Sequence, residues 1–194
     1  MVAVVVWHSL PPQKVGIFTM LFAVPLFFFT SGVFYKPSTD WKSLYAFAVK
    51  RVRGLYLPFV KWSLLFLALH NVLFHLNIYN DVYGFRGQVS TLYAWVDFGK
   101  KAVGAVCLMQ TTEQLVGAFW FLRALFLASL LVAVVHFLLG KVTWLNRYIA
   151  LGALAVGAWT SVHLNLSLPL IGNVGVILLS AAFYTAGYVL RGGY

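Results

Sequence analysis

The chain has 194 residues, of which 62% are hydrophobic and only 9% charged, against about 25% charged in an ordinary soluble domain. A soluble fold of this size could not bury so much apolar surface. The net charge of +10 would suit nucleic acid, but the Lys and Arg residues are confined to short stretches between apolar runs; that is the membrane-topology pattern and argues against nucleic-acid binding.

The composition predicts an all-α fold, a polytopic transmembrane helix bundle forming a single membrane domain over 1–194, because backbone groups in lipid must bond within their own segment. The first segment, 1–10, is apolar but too short to span, and Pro11 and Pro12 close it. It has neither a basic n-region nor a cleavage site, so it reads as the truncated first helix of a larger bundle. Five full spans follow, 15–35, 58–78, 117–139, 148–164 and 171–190. Each is about long enough to cross a hydrocarbon core of about 30 Å. The last two come from one charge-free stretch, 148–190, which is too long for a single span. It divides at 165–173, where Pro169 and Gly172 lie among polar residues.

Lys36, Lys42, Lys50, Arg51, Arg53, Lys61, Lys141, Arg147 and Arg191 fall at one set of span ends. Lys14, Arg86, Lys100 and Lys101 fall at the other, together with Asp81, Asp97 and Glu113. The positive-inside bias places the first set in the cytoplasm. Cys107 is the single cysteine, which excludes a disulfide framework within the chain.

Polar groups within spans are costly and invite a functional reading. His8, at the end of the first segment, is either satisfied by a neighbouring carbonyl or a general base, since an imidazole titrates near neutrality. His70 and Asn71 lie about 18 Å along their helix from Pro58, past the midplane; they read as helix-to-helix hydrogen-bonding groups, with Asn71 also a substrate-binding candidate. His75, His136 and His163 read as interfacial. Arg123 either snorkels to headgroups or faces the bundle and holds an anion or a sugar hydroxyl. Lys50, Arg51 and Arg53 precede Pro58; they either anchor the chain at anionic lipid or clamp a phosphate, with Lys50 and Arg53 on one helical face. No His, Cys or carboxylate cluster in the sequence implies a metal.

Several phrases resemble the membrane-bound acyltransferase type 3 family, which includes polysaccharide O-acetyltransferases. They are Val6-Trp7-His8-Ser9, the run from Pro25 to Gly32 continuing to Tyr35-Lys36, Phe119-Trp120-Phe121-Leu122, and the basic run before Leu55-Tyr56-Leu57-Pro58. The resemblance implies a bundle of bacterial cytoplasmic (inner) membrane helices and transfer of an acyl group, usually acetyl, from acyl-CoA to a hydroxyl of a glycan or lipid-linked sugar. It implies His8 as the catalytic base, without its basic partner some ten residues earlier. It matches the family's cytoplasmic Arg-x-x-Arg only loosely, with Lys50 and Arg53, so Lys50, Arg51 and Arg53 become the expected acyl-CoA phosphate contacts. Asn71 and Arg123 would meet the acceptor. The alternatives are a helical transport or flippase component and an inactive acyltransferase remnant.

Overall fold

A computed structural model describes residues 13–79, 91–140, 144–168 and 172–191. These residues are nearly all helical. In chain order they form α1 (Gln13–Val33), α2 (Trp41–Arg51), a π turn (Val52–Tyr56), α3 (Leu57–Ala68), α4 (His70–His75) and α5 (Trp95–Leu108). A 3-10 turn (Gln114–Phe119), α6 (Trp120–Leu138), α7 (Trp144–His163), a two-stranded hairpin of β1 (Ser167–Leu168) and β2 (Gly172–Asn173), and α8 (Val174–Arg191) complete them. The chain divides into two compact units, 1–48 with 127–194, and 49–126.

In the first unit α8 packs against both α1 and α7. Small residues make the α1 contact possible. A Cβ on Gly32 would fall within 1.8 Å of the Tyr184 carbonyl oxygen, and one on Gly187 within 2.0 Å of the Phe29 carbonyl oxygen. The two backbones therefore touch where glycine has no side chain, the packing mode that membrane helices favour. Arg191 ties the far end: its guanidinium donates to the carbonyls of Val33 and Tyr35 at 3.0 and 3.3 Å, satisfying orphan acceptors where α1 stops. Tyr35 is fully buried, with Phe47, His136, Tyr184 and Tyr188 around its ring. His136 is 1% exposed, which corrects its interfacial reading: a residue near the end of a span can still face the interior. Asp40 caps α2 by accepting from the Ser43 amide at 2.6 Å. That bond and the Ser43 hydroxyl hold its carboxyl below the ordinary carboxylate range.

In the second unit α3 begins after a widened turn. Pro58 has no N–H, and its ring clashes with a carbonyl four residues back in a regular helix. The ladder opens there, and the Leu57 amide bonds to the Val52 carbonyl five residues earlier. Phe59, Ser63 and Leu67 form the buried stripe of α3, Phe59 meets Phe119, and the Tyr56 hydroxyl donates to the Val106 carbonyl at 2.8 Å. Over the expected span 58–78 lie α3 and α4, with Leu69 alone between them; the Leu69 amide still bonds to the Leu65 carbonyl and the Leu73 amide to the Leu69 carbonyl. The segment 81–113, read as a connecting stretch, carries the helix α5. Asp97 starts it by accepting from the Ala94 amide at 3.1 Å, in the first turn where the helix dipole favours a carboxylate.

Among the described residues, Gln114–Leu138 and Val174–Arg191 are long and apolar enough to cross a membrane. The division expected at 165–173 falls at the hairpin, with Ser167 paired to Asn173 and Leu168 to Gly172.

Candidate functional site

The second unit buries an acid–base pair. His70 opens α4 directly after Leu69, and Glu113 immediately precedes the 3-10 turn. Both side chains are fully buried, and His70 Nδ1 lies 2.6 Å from Glu113 Oε2. The other ring nitrogen, Nε2, lies 3.2 Å from the Thr91 carbonyl oxygen. A carbonyl can only accept, so Nε2 carries a hydrogen. The short contact to Glu113 then holds one shared proton, leaving either imidazolium with carboxylate or imidazole with carboxylic acid.

Two tyrosines wall the pair. The Tyr93 ring stacks on His70 with centroids 3.3 Å apart and planes 9° apart, and the Tyr79 ring lies 5.4 Å from His70 at 52°. Asn71, the neighbour of His70, fixes Tyr93. Its amide nitrogen donates to the Tyr93 carbonyl at 3.0 Å, and its amide oxygen accepts from the Tyr93 N–H at 2.8 Å. Leu69 directly precedes the two residues whose side chains reach the 91–93 segment. The Lys101 ammonium sits 4.5 Å from the centre of the Tyr93 ring, a cation–π contact that also brings positive charge near Glu113.

Burial raises the Glu113 carboxyl above its ordinary value, against the opposing hydrogen bond and charge of His70 and the charge of Lys101. Burial first, and then the Glu113 charge, raise both Tyr79 and Tyr93, so the two phenols keep their protons.

The basic run lies in the same unit. Lys50 and Arg53 are exposed and Arg51 is half-buried, at the end of α2 and in the π turn. Arg123 is half-buried in the first turn of α6. Asn71, expected to meet an acceptor, has its amide committed at both ends to the Tyr93 backbone. His8, the expected base, lies outside the described residues.

In the sequence Glu113 counts only as one more charge outside the membrane. It is the single glutamate of the chain and stands directly before an apolar run; that position was its one available signal. Its partner is 43 residues away, a distance that no local pattern spans.

The described residues thus show a largely helical chain with two apolar helices of membrane-spanning length and a buried His–Glu pair. The chain is a member of the acyltransferase 3 family, whose acyltransferase-domain model matches residues 1–193. It is therefore an acyltransferase by family, and that family is typically membrane-associated. Comparison with curated proteins and with solved structures finds no match.

Proposed function

We propose that the protein is a multi-pass O-acyltransferase of the bacterial cytoplasmic membrane, moving an acyl group, acetyl in the simplest case, from acyl-CoA to a hydroxyl of a cell-surface glycan or lipid-linked sugar. The observation that carries the reading is the family match over nearly the whole chain. The arrangement of charge supports it. Acyl-CoA is cytoplasmic and polyanionic, and the positive-inside bias puts Lys50, Arg51 and Arg53 on the cytoplasmic face, where guanidinium and ammonium groups can hold its phosphates. The acceptor comes from the opposite side, toward Arg123.

A hydroxyl is a weak nucleophile at neutral pH, so attack on the thioester carbonyl needs a base to take its proton as the new bond forms. His8 is assigned that role. The acceptor oxygen bonds to the carbonyl carbon, the carbon–sulfur bond breaks, the hydroxyl proton passes to His8, and the CoA thiolate leaves and is then protonated. No metal is required for these steps.

The test is turnover of acetyl-CoA by membranes that carry the chain, with and without added glycan fractions. Release of free CoA that depends on added glycan supports the reading. Release independent of every glycan fraction, or no release above control membranes, removes it.

A further inference from the structure

The His70–Glu113 pair leaves polar atoms unanswered. Glu113 Oε1, Thr112 Oγ1 and the hydroxyls of Tyr79 and Tyr93 are buried and make no hydrogen bond of good geometry among the described residues, although the Tyr93 phenol and Thr112 interact with the Glu113 carboxyl and Tyr79 with the Leu115 backbone. Buried polar side-chain atoms are nearly always bonded, and here three of these atoms belong to side chains that each touch one histidine, His70. Their chemistry defines what would satisfy them. Oε1 of an ionised Glu113 only accepts, whereas each phenol both donates and accepts. An apolar group answers none of them. An anion meets the Glu113 carboxylate. A neutral hydroxyl fits, because it can donate to Oε1 and accept from a phenol at once.

We propose that this cluster is a hydroxyl subsite, in which an alcohol of the acyl acceptor donates to Glu113 Oε1 and accepts from the phenol of Tyr79 or Tyr93. Asn71 is its positioning residue, since its two bonds to the Tyr93 backbone hold that ring on His70. His70 in turn orients Glu113 by occupying Oε2, which leaves Oε1 for the ligand. The assignment rests on the reading of the protein as an acyltransferase with hydroxyl acceptors and gives that acceptor a place in the fold. An internal water would meet the same atoms, and a sugar titration separates the two occupants.

The experiment uses the purified full chain in detergent and the methyl glycosides of glucose, galactose and mannose as probes. At least one should raise the unfolding temperature of the wild type saturably. Glu113→Gln and Tyr93→Phe should each weaken that effect by about tenfold or more, the loss expected for a hydrogen bond to a charged or buried partner. Tyr93→Phe removes one oxygen and keeps the ring stack, so it guards against a variant that simply misfolds. In membranes the same variants should raise the KM for acceptor and leave the KM for acetyl-CoA within about twofold. No sugar-dependent shift in the wild type, or an equal shift in both variants, means that water alone fills the site and overturns the proposal. A shift lost in both variants, with no acetyl-CoA turnover by the wild type, sustains the subsite and removes the acyl-transfer reading. Turnover with unaltered acceptor KM in both variants sustains transfer and removes the subsite.

Discussion

Glu113 Oε2 lies 2.6 Å from His70 Nδ1, so the single glutamate of the chain is spent on a histidine that the sequence places within a span. A buried pair of this kind adds little net stability when intact, because desolvation offsets attraction, but removing one member strands the other. His70→Ala should therefore cost about 3–5 kcal/mol. His70→Gln, which can still donate toward Glu113, should cost less. Thermal unfolding in detergent reads the difference; equal losses would mean that the pair is not what holds the site.

The pair also sets a pH dependence. Burial raises the Glu113 carboxyl above its ordinary 4.5, so between that value and the raised one the folded state binds more protons than the unfolded. Stability then falls as pH rises through this window. Tyr79 and Tyr93, which face Glu113, keep their protons there. The unfolding temperature of the wild type minus that of Glu113→Gln, which does not titrate, should thus be highest below pH 4.5 and decline above it. A difference that grows with pH would contradict the raised carboxyl.

Gly32 and Gly187 test the first unit. Alanine at either position drives a Cβ into a carbonyl of the facing helix, and backbone cannot rotate away as a side chain can. Each substitution should destabilise by at least about 1–3 kcal/mol. Gly152→Ala, in α7 with nothing within 4 Å of the new Cβ, should be neutral or stabilising by up to about 1 kcal/mol. Similar losses at all three positions would mean that the α1–α8 contact is not the cause.

The donor side is tested at Arg51 and Arg53. Replacing both with Gln should raise the KM for acetyl-CoA by about tenfold or more, from about 1.5–3 kcal/mol per charged hydrogen bond before screening. It should also flatten the dependence of that KM on salt. An unchanged KM in the double variant would leave the run as a lipid anchor.

Topology follows from the Lys and Arg bias. In a Cys107→Ser background, which removes the exposed native thiol, a cysteine at Ser90 should react with an impermeant reagent in intact cells and one at Ser43 should not. The reverse pattern would invert the assignment.

The helices were largely legible because apolar runs in this chain are long and their ends are charged. The 165–173 division was visible in Pro169 and Gly172, which cannot continue a helix without cost. α5 was not, because Asp97, Lys100 and Lys101 were weighed as topology markers, and a short amphipathic helix shows itself in period rather than in charge count. The turn at Leu69 has no proline or glycine to announce it. It coincides with the side chains of His70 and Asn71 reaching the 91–93 segment, contacts that no local pattern in the sequence announces. His136 shows the same limit: position along a span says how deep a residue lies, not which face it is on.

The most direct measurement is the transfer of labelled acetyl from acetyl-CoA to glycan by membranes carrying the chain, compared with His8→Ala at matched expression. The account predicts label that mild base releases as acetate, the mark of an ester, and its loss in His8→Ala while the protein still inserts. Near-normal labelling in His8→Ala would take His8 out of the mechanism, and no base-labile label from the wild type would contradict O-acyl transfer itself.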